Sequence, residues 1–165
     1  MTTIQIQEKL KTEFETKVFN DIQLFGNKPV QVFIQDFSLS QDYEYEGITP
    51  DGMTEAEKYV PCVIIKAVGG EIAAQNRAQT TRIDIFALSK DWSEDRRGYK
   101  DAVIMLERIR DYLVSGGGIH ETARMEYPLK MQMIEDDFPT PFWEGAITTN
   151  WSVYTKPYED IEHLL

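Results

Sequence analysis

The chain has 165 residues, 42% of them hydrophobic, with 28 Asp and Glu against 17 Lys and Arg for a net charge of −11. That length suits one domain with its own core and is short for two, and no apolar run approaches the ~20 residues that cross a bilayer. Tight nucleic-acid binding needs clustered cations to neutralise phosphates, and no basic cluster here exceeds Arg96–Arg97.

The opening MTTIQIQEKL has neither the basic nor the apolar region of a signal peptide. Thr3 is placed to cap a first helix running to about Phe19. Ile6, Leu10, Phe14 and Val18 form its apolar stripe, with Glu8, Lys9, Glu13 and Lys17 off it. Gly26-Asn27-Lys28-Pro29 stops that helix, and a first strand follows in which Val30, Val32 and Ile34 alternate with Gln31, Phe33 and Gln35. Residues 38–58 form a long polar loop with a turn at Pro50-Asp51-Gly52. YVPCVIIKA reads as a strand buried on both faces, with Pro61 near its start. Gly69-Gly70 marks a turn, and EIAAQNRAQ is either an extended hairpin arm or a flexible loop.

TTRIDIFAL is the third strand, with Thr81, Ile83, Ile85 and Ala87 on one face. The second helix carries a wide stripe of Tyr99, Ala102, Val103, Leu106, Ile109 and Leu113, with Lys100, Glu107, Arg108 and Asp111 toward solvent. Gly116-Gly117-Gly118 ends it. The fourth strand, roughly Thr122 to Ile134, alternates Met125, Tyr127, Leu129, Met131 and Met133 with Arg124, Glu126, Lys130 and Gln132. The fifth, about Trp143 to Tyr154, puts Trp143, Ile147, Trp151 and Val153 on one face, and residues 155–165 form a tail. The expected fold is α+β: a single domain over 1–165, with a mostly antiparallel sheet of about five strands and two main helices packed on it.

Candidate chemistry is sparse. His120 and His163 have no ligand partner at i+3 or i+4, and no zinc, EF-hand, phosphate-loop or nucleophile-elbow pattern occurs. Glu135, Asp136 and Asp137 form the densest acidic cluster, but successive residues on a loop rarely converge on one cation. Cys62 is the single cysteine. No internal disulfide is possible, a reducing compartment is expected, and the apolar setting predicts a buried thiol. No enzymatic activity, cofactor or metal is therefore expected. The loop Asp42-Tyr43-Glu44-Tyr45-Glu46 either presents two rings to a partner or is an unstructured polar segment. Trp143 and Trp151, sharing a strand face, are read as core.

IQEKLKTEF, YVPCVIIKA, RIDIFALSKDWSEDRRGYKDAVIMLERIRDYL and EYPLKMQMIEDDFPTPFWEGAITTNWSVYT come in an order that resembles the tail terminator proteins of long-tailed bacteriophages, also called tail-to-head joining or tail completion proteins. The Gly98-Tyr99-Lys100-Asp101 lead into a helix and the P-x-x-x-G-x-I pattern from Pro141 to Ile147 carry it most closely. The resemblance implies a virion protein at the head-proximal end of the tail, present in the host cytoplasm during assembly. Its subunits form a homo-oligomeric ring, typically a hexamer. The ring caps the tail tube protein, ends tube growth and offers a surface to the head–tail connector proteins. DNA passes through it without specific binding, no membrane is involved, and no catalytic residue is carried over. Other readings are a head-completion or neck connector protein, a small metal-dependent or nucleotide-processing enzyme using Glu135–Asp137, and an adaptor domain binding extended peptides at a sheet edge.

Overall fold

The computed structural model describes residues 2–21, 23–24, 28–35, 59–72, 78–90, 97–116, 123–134 and 142–153. Helix α1 spans Thr3–Glu13 and continues through one π-helical turn, Phe14–Val18. Its N-cap is Thr2, not Thr3. The Thr2 hydroxyl accepts from the Gln5 amide while the Gln5 side chain accepts from the Thr2 amide at 2.8 Å, a reciprocal box that satisfies two otherwise orphaned donors. The four-residue stripe behaves as its spacing predicts, with Ile6, Leu10 and Phe14 fully buried and Val18 nearly so. Glu13 departs from expectation. Read as off the stripe, it is buried, because it stands three residues after Leu10 and seven after Ile6 and so shares their helix face.

Two short strands, β1 (Gln23–Leu24) and β2 (Lys28–Pro29), pair antiparallel ahead of the main sheet. That sheet comprises β3 (Gln31–Ile34), β4 (Cys62–Glu71), β5 (Gln79–Lys90), β6 (Ala123–Ile134) and β7 (Phe142–Val153), in spatial order β3-β4-β5-β7-β6. Only β3–β4 is parallel, so the mostly antiparallel α+β architecture stands. Helix α2 (Arg97–Val114) follows β5. Gly116, at φ 89°, adopts the left-handed conformation that relaxes the chain just past the helix.

Strand alternation sorts the sheet into two faces. On the inner face, Ile34, Ile65, Ile85, Ile147 and Met131 stand in one cross-strand row. Helix α1 lies over β3 and β4 and α2 over β5 and β7, and Met105, Leu106 and Ile109 of α2 are fully buried there. Each such side chain contributes about 1.5–3 kcal/mol of transfer free energy. Phe14 meets Phe19 and Tyr112 edge-on at 6.5 and 6.4 Å between centroids, joining the two helices. Met105 was not assigned to the α2 stripe, whereas Tyr99, which was, is 46% exposed.

Gly69-Gly70 is not a turn. Both glycines lie inside β4, which runs on to Glu71 opposite Thr80 past an irregularity between Ala67 and Gly69. EIAAQNRAQ therefore begins and ends in paired strand, and its residues 73–77 lie outside the described residues. In β6 the register shifts between Glu126 and Lys130 while β7 advances only from Asn150 to Thr148. Two extra residues are accommodated there, an even number, so Met125 and Met131 keep the same face.

Candidate interaction surfaces

Exposed large apolar side chains lie on the helices, at Ile4, Ile104 and Val114, and on the rims of the sheet. Among the described residues β6 has no neighbour beyond it, and neither helix lies over it. Met125, Leu129 and Met133 pack partly against the core, but Met131 is 40% exposed and Tyr127, in the bulge, 68%. The bulge and Pro128 interrupt the edge ladder, which blunts open-ended strand pairing and leaves side chains as the recognisable feature. A second exposed apolar element is the β4–β5 arm, where Val68 and Ile72 are half exposed or more. Tyr99 at the start of α2 meets Trp143 edge-on at 6.2 Å, so Trp143 is a half-buried flank rather than core, while Trp151 is fully buried. The Trp151 indole donates to Thr149 Oγ1, which donates to the Ile83 carbonyl, both at 2.8 Å.

An amide network that begins at buried Gln7 anchors the chain leaving β3. The Gln7 side-chain amide donates to Gln35 Oε1 at 2.7 Å and to the Ile65 carbonyl at 2.9 Å, and the Ala67 amide donates to the same Gln35 oxygen at 2.7 Å. Gln35 has φ 67°, a conformation unusual for a side-chain-bearing residue. The network holds the end of the short edge strand to both β4 and α1. Gln7 stands three residues before Leu10 and seven before Phe14, so helical periodicity places it on the buried face, although a glutamine there does not read as apolar.

On the outer face, the Arg82 guanidinium holds Asp84 through two bonds of 3.0 and 2.8 Å, and Ser152 donates to Glu126 at 2.8 Å. Lys66, Arg124 and Lys130 share that face and are exposed. Cys62 is fully buried at the lower end of β4. Burial, and secondarily the Glu144 carboxylate, push its thiol up to about 12, so it is not a poised nucleophile. Between the helices, burial and then the Glu13 carboxylate raise the Tyr112 phenol, with Lys17 opposing. Lys17 also pairs with Glu13 at 3.8 Å. An open depression of about 410 Å³ beside them is lined by Lys17, Val18, Arg108, Asp111 and Tyr112.

Charge is unevenly shared between the described residues and the rest. The described residues hold 13 Lys and Arg against 11 Asp and Glu, and the remaining ones 4 against 17.

Asp42, Tyr43, Glu44, Tyr45, Glu46, Glu135, Asp136 and Asp137 lie outside the described residues, as do His120, His163 and the 155–165 tail. Among the described residues, no three His, Cys, Asp or Glu side chains converge as a metal site, and no helix is long and apolar enough to cross a membrane. Compared with protein-family models and with curated proteins, the chain has no match.

Proposed function

We propose that this chain is a structural subunit of a long-tailed bacteriophage, a tail terminator that assembles into a ring on the tail tube, ends its growth and receives the head connector. The observation that carries this reading is the uncovered rim, with Tyr127 and Met131 on β6 at one side and Val68 and Ile72 on the β4–β5 arm. Apolar side chains on different parts of one subunit suit a head-to-tail contact, which closes into a ring when its rotation divides a full turn. The acidic composition supports the same reading, since a net charge of −11 suits a passage that repels DNA phosphates. The order of helix, strands, helix and closing strand pair agrees with the resemblance noted in the sequence.

The test is light scattering of the purified protein alone and with a tail tube protein, followed by electron microscopy of particles made without it. A ring on tube ends, with overlong or headless tails in its absence, is expected. Normal tails without the protein would refute the assignment, and attachment to head portals instead of tubes would favour the neck-connector reading.

A further inference from the structure

The sheet has open edges on opposite sides. On one side β3 pairs with β4 only as far as Ile34 opposite Ile65, so among the described residues the upper half of β4 has no strand beside it there. Val68, Gly69, Gly70, Glu71 and Ile72 are all exposed, and a Cβ at Gly69 would meet nothing within 4 Å. Two adjacent glycines let another backbone approach closely. On the other side β6 has no outer neighbour among the described residues, and past its irregularity between Glu126 and Lys130 it pairs regularly with β7 to Ile134. Residues 68–72 and 130–134 are thus two short edges of equal length, each bounded on one side by an irregularity in its own strand.

Direction, face and charge match across these edges. Strand β4 is antiparallel to β5, β5 to β7 and β7 to β6, so β4 and β6 run in opposite directions. A second copy placed beside β6 with the same face inward therefore brings its β4 alongside antiparallel. Glu71, opposite Thr80, and Lys130, opposite Thr148, both stand on the outer face. Neither makes an ion pair among the described residues. With Glu71 of one copy opposite Lys130 of the next, strand alternation sets Gly70 across from Met131 and Ile72 across from Leu129 on the inner side. Met131, 40% exposed, then lies over a residue that has no side chain. The other charges nearby stay out of this run: Lys66 is opposite Asp84, four residues along β5 from Thr80, and Arg124 and Glu126 lie above the irregularity in β6. Joining like edges is disfavoured, because two β6 edges gather their Lys130 side chains and two β4 edges their Glu71 side chains.

We propose that residues 68–72 at the upper edge of β4 pair antiparallel with residues 130–134 of β6 in a second copy of this chain, with Glu71 opposite Lys130. The pairing rests on the self-assembly reading above and gives it a direction, edge β4 to edge β6 and never like to like. Lys130 shares a cross-strand row with Asp84 through Thr148, whereas Glu71 shares one with Thr80. Each copy is therefore displaced along the strands relative to the one before it, a stagger of the kind that tilts strands when a sheet closes on itself.

The direct test mixes two variants, Glu71→Cys and Lys130→Cys, under mild oxidation, the native Cys62 being fully buried. Disulfide-linked dimers are expected from the mixture and from neither variant alone, and the double variant should give a ladder of larger species. Dimers of a single variant with itself would overturn the pairing. So would the absence of mixed dimers from chains that light scattering shows to be assembled, and that result leaves the assembly reading standing. Chains that stay monomeric at every concentration, with and without a tail tube protein, would overturn both. Charge reversal is the second measurement: Glu71→Lys and Lys130→Glu should each weaken self-association about tenfold or more, and the two together in one chain should restore it. Losses that add in the double variant would also overturn the pairing.

Discussion

Helix α2 packs tightly on the sheet at Gly145, and replacing that residue with alanine probes the contact. In the inner-face row Val63, Ala87, Gly145 and Met133, the two central strands present their smallest side chains beneath α2. A Cβ at Gly145 would lie 2.5 Å from Leu106 Cδ1 and 2.8 Å from Met133 Sδ. Leu106 is fully buried, so it can yield only by displacing the helix or adopting a poor rotamer. Overpacking of this kind costs about 1–3 kcal/mol. Gly145 is not among the residues at positive φ, so alanine fits the backbone and recovers about 0.5–1 kcal/mol by restricting the unfolded chain. The net loss for Gly145→Ala is about 1.5 kcal/mol, or roughly 3–6 °C in Tm for a chain of this size. The assay is urea unfolding followed by tryptophan emission, run as a double-mutant cycle with Leu106→Val. That change removes the clashing methyl group at a cost of about 1 kcal/mol for one methylene. In the Leu106→Val background the Gly145→Ala penalty should vanish or reverse, giving a coupling energy of about 1 kcal/mol or more. An alanine variant as stable as the parent, or a penalty unchanged by Leu106→Val, would refute the close-packing account.

Two further perturbations test the interior. Gln7→Leu removes the donor that ties Gln35 and the Ile65 carbonyl to α1 while each acceptor keeps one backbone amide partner, so a loss of about 0.5–1.5 kcal/mol is expected in the same unfolding assay. Faster amide exchange should appear at Gln35 and Ala67 but not in β7. The Cys62 thiol, raised from 9.0 to about 12 in the folded chain, favours the folded state fully below pH 9. As the pH rises from about 9 toward 12 the unfolded thiol loses its proton while the native one keeps it. That contribution therefore declines by about 1.4 kcal/mol per pH unit. Cys62→Val should flatten this part of the stability profile relative to the parent, and parallel profiles would contradict the burial argument.

The 3.6-residue period of Ile6, Leu10, Phe14 and Val18, and the two-residue period of Thr81, Ile83, Ile85 and Ala87, identified both elements and the faces they bury, because side-chain direction is a local property of the backbone. Gly145 stands in the P-x-x-x-G-x-I pattern that carries the family resemblance, and its packing reason, Leu106 and Met133, lies far away in sequence. Local signals misled where pairing prevailed over propensity. Gly69-Gly70 has the composition of a turn, yet β5 continues opposite it and draws it into the ladder. Tyr127 and Met131 share the alternation of Met125 and Met133, but the helices do not extend over β6, and so half of a regular pattern faces solvent. The insertion of β7 between β5 and β6 and the parallel pairing of β3 with β4 both depend on contacts between distant residues. Periodicity reports which way a side chain points and leaves open which strand will stand beside it. That choice comes from burying the shared apolar face as a whole, a free energy that belongs to no single segment.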